Sequence, residues 1–375
     1  MTRNPARRSM PGGYGLALTT YLALAVFACS PGDARQSPGS AATETPMQES
    51  EMDLPGAVSN NAVASAEVDG ETIFFSFNGL GSWKGWQDVT SRAYACAPAR
   101  SECRTLPPPP VAEGRLASVA ATVGNLVYLF GGYTVARDGG ELSTPEVFAF
   151  SPETEAYDPM PDMPVPVDDA VAFSYQDRFI YVVSGWHDSD NVGLVQVFDT
   201  DTETWFNATD FPGTPVFGHA GGAVGRRIVI ADGVGVLGES DGRRSFGAVA
   251  EAWLGTIDPT DPARIDWSAL PPHPHAPLYR MAAAGDPEEN RVLFFGGADN
   301  PYNYDGIGYD GRPAGASAAL FAFDFDTMRW EELGHTREGG MDYRGLLHFD
   351  GDFFVMGGMN ERREVVSEVR RLTPQ

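Results

Sequence analysis

Short apolar runs that stop on glycine recur along this chain. Leu126-Val127-Tyr128-Leu129-Phe130-Gly131-Gly132 is the clearest, and Val292-Leu293-Phe294-Phe295-Gly296-Gly297 and Phe353-Phe354-Val355-Met356-Gly357-Gly358 are near copies. Weaker copies are Ile180-Tyr181-Val182-Val183-Ser184-Gly185, Ile228-Val229-Ile230-Ala231-Asp232-Gly233 and Ile73-Phe74-Phe75-Ser76-Phe77-Asn78-Gly79. Runs this short, rich in β-branched and aromatic residues, predict buried strands. The closing glycine lets the chain leave the sheet at φ angles that a Cβ forbids. The copies lie roughly 50 to 60 residues apart, a spacing that points to a repeat architecture.

The surroundings repeat as well. Upstream of the runs the pattern predicts strands of small residues at 116–123, 170–175, 220–224, 281–284 and 346–349. Tight turns such as Val123-Gly124-Asn125 join them to the apolar runs. Downstream come alternating strands ending in acidic turn residues, such as Val195-Gln196-Val197-Phe198-Asp199 and Leu320-Phe321-Ala322-Phe323-Asp324. Then follow an aromatic and a stop: Trp205 before Phe211-Pro212, Trp267 before Leu270-Pro271, Trp330 before Leu333, and Tyr157 before Met160-Pro161.

Four antiparallel strands per repeat, with Gly-Gly after the second and Trp on the fourth, resemble the kelch repeat from about residue 54 to the end. The resemblance implies an all-β fold, a six-bladed kelch-type β-propeller. One blade cannot hide its apolar face, so the blades must close into a ring. The last repeat stops after a third strand at 365–372, and Glu51-Met52-Asp53-Leu54-Pro55 looks like its missing fourth. The ring is therefore expected to be closed by the N-terminal strand, which removes two sheet edges.

Composition agrees: 375 residues, 42% hydrophobic, with 43 Gly and 29 Pro, suit a large, turn-rich core. A net charge of -25 argues against nucleic acid as a partner. Residues 1–28, with Arg3, Arg7 and Arg8 before an apolar stretch, read as a signal peptide. Leu24-Ala25-Val26-Phe27-Ala28-Cys29 resembles a lipobox, which makes Cys29 the candidate lipidation site; ordinary secretion with an incidental cysteine is the alternative. Residues 29–53 read as the lipobox cysteine and a disordered tether, and 54–375 as the propeller. A monomer in the bacterial cell envelope is expected, as a periplasmic or outer-membrane lipoprotein held by the lipid on Cys29.

Aligned on the repeat, Cys96 falls where Phe198 sits and Cys103 where Trp205 sits. Facing positions in an exported protein favour a disulfide, with two buried free thiols as the alternative. No cofactor or metal is expected. The cysteine–tyrosine cross-link and paired histidines of kelch-containing galactose oxidases have no counterpart, and His273-Pro274-His275 reads as a solvent-exposed proline-rich turn.

The loops after each second strand share one rim with the starts of the first strands. Several are long, which on a rigid scaffold points to function. They bring Trp83, Trp86, Tyr133, Trp186, His187, Tyr302, Tyr304 and Tyr309; the strand starts bring Asn61, Arg115, Asp168, His219, Arg280 and Arg344. Arg115, Arg280 and Arg344 are candidates for an anion-binding ring, or for braces between blades. Trp186, His187, His219, Tyr302 and Tyr304 complete the candidate ligand set.

Gly79-Leu80-Gly81-Ser82, Tyr302-Asn303-Tyr304 and Tyr343-Arg344-Gly345 are similar to stretches of the bacterial periplasmic sialic acid mutarotases. That resemblance implies sugar ring opening and reclosure by an acid, a base and a carboxylate-binding arginine. It assigns the functional acid and arginine after the fourth blade's second strand, where Asp232, Glu239 and Arg243 stand, with Asp241 and Arg244 beside them. The expected partner is a small-molecule carbohydrate, such as an acidic sugar. A protein partner docked on the loop face is the alternative.

Overall fold

The computed structural model describes residues 52–240 and 243–374, all in strands, turns and two short 3-10 turns. Six antiparallel sheets follow one another along the chain as the blades of a propeller. The first blade is Ala62–Val68, Glu71–Leu80, Val89–Ala97 and Glu102–Leu106, paired in chain order. Cys29 and Asp241 lie outside the described residues.

Residue size sorts the strands by distance from the axis. The second strands, such as Leu126–Phe130 and Phe179–Val183, are buried on both faces between neighbouring blades, so they are apolar throughout. The first strands face the axis, where blades crowd, and carry alanine and glycine. At Gly285 an added Cβ would meet the Ala223 carbonyl oxygen at 1.9 Å. The second glycine of each pair serves a turn: Gly132 has φ +89°, and a Cβ added there would meet Ser118 Oγ at 2.3 Å.

The outer aromatic of one blade holds the blade before it. Tyr157 OH donates to the Pro107 carbonyl at 2.9 Å, Trp205 Nε1 to Pro161 at 3.0 Å, Trp267 Nε1 to Thr209 at 3.4 Å and Trp330 Nε1 to Pro271 at 2.7 Å. Each ring also packs in its own blade, as Trp205 does on Phe198 with centroids 5.1 Å apart. This is the physical reason an aromatic and a following proline segment recur together. Cys96 and Cys103, directly opposed in register, form a disulfide in the first blade, which has no such aromatic.

The ring closes as the sequence suggests. Leu54 N donates to Ser367 O at 2.8 Å and Val369 N to Met52 O at 3.0 Å, so residues 52–54 form the outer edge of the sixth blade. A second closure lies at the axis and was not foreseen. The residue entering each first strand has positive φ: Asn60, Ala117, Asp169, Gly218, Arg280 and Asp342, between 51° and 68°. Their peptides link blade to blade: Ala117 N to Asn60 O, Asp169 N to Ala117 O, Gly218 N to Asp169 O, and Arg280 N to Gly218 O. Tyr343 N to Arg280 O and Asn60 N to Asp342 O complete the circle. A cycle of backbone hydrogen bonds thus surrounds the axis and aims the side chains of Asp169, Arg280 and Asp342 from fixed positions.

Candidate functional site

Two cavities lie along the axis. The channel between the first strands, about 260 Å³, is walled mostly by Ala, Gly and backbone, with His219 and Arg344 among its few polar side chains. The other, about 150 Å³, opens on the loop face and concentrates chemistry. It is lined by Tyr133, Trp186, Phe217, Phe246 and Tyr309, by Glu141, Asp168, Asp169 and Asp188, and by Arg280, Ser143 and Asn303 among others.

Arg280 forms its floor, 1% exposed. Its Nε and Nη2 donate to Asp169 at 2.9 and 2.6 Å, and Nη1 donates to Asp342 Oδ1 at 2.9 Å and to the Asn303 carbonyl at 2.8 Å. The guanidinium lies over Tyr279 and Tyr302, 4.7 and 5.4 Å from their centroids. Arg344 reaches the same Asp169 carboxylate, Nη1 to Oδ1 at 2.6 Å. Burial alone would raise the Asp169 carboxyl, but Arg280 and Arg344 outweigh it and hold it below the usual range. Its neighbour has no such partner. Burial, and then the Asp169 charge, push the Asp168 carboxyl well above the usual range, although Ser143 Oγ donates to it at 2.7 Å. Adjacent carboxyls are thereby pushed in opposite directions, Asp168 toward holding its proton and Asp169 toward ionisation, the separation that acid–base sites use.

The loops place the walls. Glu141–Ser143 pairs with Tyr133–Val135, and Trp186–His187 with Asp190–Asn191, as short hairpins above the second and third blades. Val234–Ser240 and Arg243–Ala248 form a longer hairpin above the fourth, which brings Phe246 to 5.7 Å from Trp186 and 4.5 Å from Tyr309. Asn303 donates to Glu141 across 162 residues of sequence, and partial burial raises that carboxyl too.

The sequence-derived residues divide accordingly. Trp186 and Arg280 line the pocket, and Tyr302 lies buried beneath Arg280. Tyr304 packs on the cluster around it. His187 Nδ1 is 2.7 Å from the Pro166 carbonyl, a brace for its hairpin. His219 is in the channel, Nε2 3.0 Å from the Val183 carbonyl; burial brings its pKa down to about 4, so it is a neutral ring.

Three expectations need correction. The arginines form no free anion ring: Arg280 and Arg344 meet at Asp169, whereas Arg115 lies apart, 3.0 Å from Glu146. Asp232 is not in the pocket. It is buried between the fourth and fifth blades, accepting from Leu278 N and lying 2.7 Å from His273 Nε2, which makes it a structural tie. His273 itself, read as solvent-exposed, is 5% exposed. Glu239 is exposed on the fourth-blade hairpin, and of Arg243 only the backbone, in that same hairpin, is described. Asp169, Asp342, Glu141, Ser143 and Phe246 were missed. The repeated position just before each first strand would have pointed to Asp169 and Asp342; nothing in the repeat marks the others. Among the described residues no group of three or more His, Cys, Asp or Glu is arranged to hold a metal.

Known proteins share the repeat and the fold. The family described as "Kelch motif" matches residues 114–164. Kelch-like protein 15 of Gallus gallus is 27% identical over 114 residues, 30% of this chain and 23% of its own length. Kelch-like protein terF of Aspergillus terreus is 29% identical over 190 residues, 48% of this chain and 40% of its own. The chain therefore spans less than half the length of these curated relatives. A solved structure described as "Structure of YjhT" superposes with a TM-score of 0.66 at 16% identity, over 87% of this chain and 98% of that one; at that identity the likeness concerns the fold. A Kelch motif at residues 114–164 and a ring of six blades thus make the chain similar to kelch-repeat β-propellers in motif and in fold.

Proposed function

We propose that the loop-face pocket binds a carbohydrate, and that sugar mutarotation is its enzymatic use. The observation that carries this is the combination of aromatic walls with a buried Asp168 carboxyl that burial pushes toward its protonated form. Aromatic faces suit the C–H face of a sugar ring, while carboxyls and amides take its hydroxyls. The volume, about 150 Å³, is below the roughly 300–1,000 Å³ of pockets for drug-sized ligands, so the occupant is about one sugar ring. Ring opening needs a proton given to the ring oxygen and one taken from the anomeric hydroxyl. Asp168 is the donor in this reading and Glu141, on the same pocket, the acceptor. This moves the acid and base away from Asp232, Glu239 and Arg243. The resemblance to sialic acid mutarotases supports the reaction class.

Sugar-observed NMR on purified protein tests it: saturation transfer for binding and exchange spectroscopy for anomer interconversion. Faster exchange, lost in Asp168→Asn, supports the enzyme. Binding without acceleration leaves a lectin-like module, and no binding to any monosaccharide overturns the proposal. Docking of a protein on the same face is the second reading. It is favoured by Trp83, Leu142, Leu237, Ile307 and Tyr309, which all stand on that rim, 90%, 59%, 67%, 40% and 43% exposed. The proposal extends to the cell envelope, with Cys29 as the acylated residue; metabolic labelling with a radioactive fatty acid that survives Cys29→Ser would refute that part.

A further inference from the structure

The pocket's charges point away from an anionic ligand. A guanidinium has five N–H donors. Four of Arg280's are taken by Asp169, Asp342 and the Asn303 carbonyl. A carboxylate held in a fork needs two free parallel donors, which Arg280 does not have. Arg344 has Nη1 on Asp169 and Nε on the Tyr343 carbonyl, which leaves Nη2 alone without a partner, and it faces the channel, not this pocket. The positive charge at the floor is thus balanced inside the protein, two arginines against Asp169 and Asp342.

The acids of the wall are not balanced in this way. Glu141 is bonded to the neutral Asn303 amide, Asp168 to the Ser143 hydroxyl and Asp188 to the Ser143 peptide N–H. No ion pair joins any of the three to a cation among the described residues. On the same pocket are Trp186, Phe246 and Tyr309, with the Phe246 ring tilted against Tyr309 and their centroids 4.5 Å apart. The protein already places one of its own cations on this wall: the Arg244 guanidinium lies 5.8 Å from the Trp186 centroid. Glu141 and Asp188, without a cation partner and beside aromatic faces in a cavity the size of one ring, form a site for a cation.

We infer that the pocket selects a ligand carrying a protonated amine, which on the carbohydrate reading above is a hexosamine with a free amino group. The ammonium is placed between Glu141 and Asp188, next to the Asp168 carboxyl, with the ring carbons against the aromatic wall. An acidic sugar would instead bring its carboxylate to Glu141, Asp188 and a guanidinium without a free fork.

Calorimetric titration of the whole folded protein at low salt tests this with glucosamine, glucose, N-acetylneuraminate and, as a sugar-free amine, 2-aminoethanol. Glucosamine is expected to bind about tenfold tighter than glucose, the order that a cation–π contact beside an unpaired carboxylate supplies. N-Acetylneuraminate is expected to bind weaker than glucose. Added salt should erase the glucosamine advantage, and so should Glu141→Gln, a rim change that leaves the buried network intact. Glucose binding as tightly as glucosamine, or N-acetylneuraminate binding tightest, overturns the inference and leaves the carbohydrate reading standing. Binding of 2-aminoethanol with none of the sugars overturns the carbohydrate reading and keeps the amine site. Silence from all four overturns both.

Discussion

At the scale of single residues, His219 and Asp232 show how burial decides a role. The His219 ring is held neutral by burial, with a pKa of about 4 against 6.5 for an ordinary histidine. Its folded pKa is the lower one, so the unfolded chain takes up the proton first. Its contribution is complete above about pH 6.5 and is lost as pH falls toward 4. Carried through linkage, that gap corresponds to about 3 kcal/mol. Asp168 acts in the opposite sense, since its folded pKa is raised, so the comparison must be made against a variant. In urea unfolding at pH 7 and pH 4.5, His219→Gln is expected to lose less stability than wild type on acidification; equal losses would contradict the assignment. Asp232→Ala strips the acceptor from Leu278 N and the partner from His273, and should cost about 1–3 kcal/mol in the same assay. Sugar binding should persist in that variant while it is folded. The sequence placed His219 and Asp232 near strand ends correctly, but not their surroundings. Whether a carboxylate after a second strand turns toward the pocket or between blades depends on His273, 41 residues away, and no local pattern carries that information.

Elements were the most legible scale. The glycine-ended runs, the small-residue first strands and the outer aromatics each reflect one packing demand, so each repeats with the blade. The interblade hydrogen bond from the outer aromatic gives that pattern an energy. Trp330→Phe keeps most of the packing on Phe323 and removes the bond to the Pro271 carbonyl. It is expected to cost about 1 kcal/mol in chemical denaturation, and Tyr157→Phe the same. No change in either would mean that packing alone carries these positions. In the first blade, the disulfide closes a loop with a sequence separation of 7, so reducing it should cost about 2 kcal/mol. The loop hairpins were not legible. Their strands are two to seven residues long, and segments such as Arg243–Ala248 carry no alternation that would distinguish a hairpin from a long loop. The site walls come from these hairpins, which explains why Phe246 and Glu141 escaped notice.

For the whole molecule, the ring is both scaffold and positioning device. The outer closure by residues 52–54 and the axial cycle of peptide hydrogen bonds fix six blades against one another. The cycle also fixes where Asp169, Arg280 and Asp342 point. Arg280 and Asp169 are 111 residues apart in sequence, Arg280 and Asp342 62; only ring closure makes them neighbours. Removing residues 52–58 should expose a strand edge of the last blade, lower the melting transition and promote self-association, measured by calorimetry and size exclusion. An unchanged melting transition and elution volume would contradict closure by the N-terminal strand. The central claim is that a sugar is held inside the loop-face pocket and not on the apolar rim around it. Saturation-transfer NMR with one monosaccharide, on wild type, Trp186→Ala and Trp83→Ala side by side, tests that claim most directly. The account predicts a signal in wild type and Trp83→Ala that disappears in Trp186→Ala. A signal that survives Trp186→Ala, or disappears only with Trp83, would contradict it.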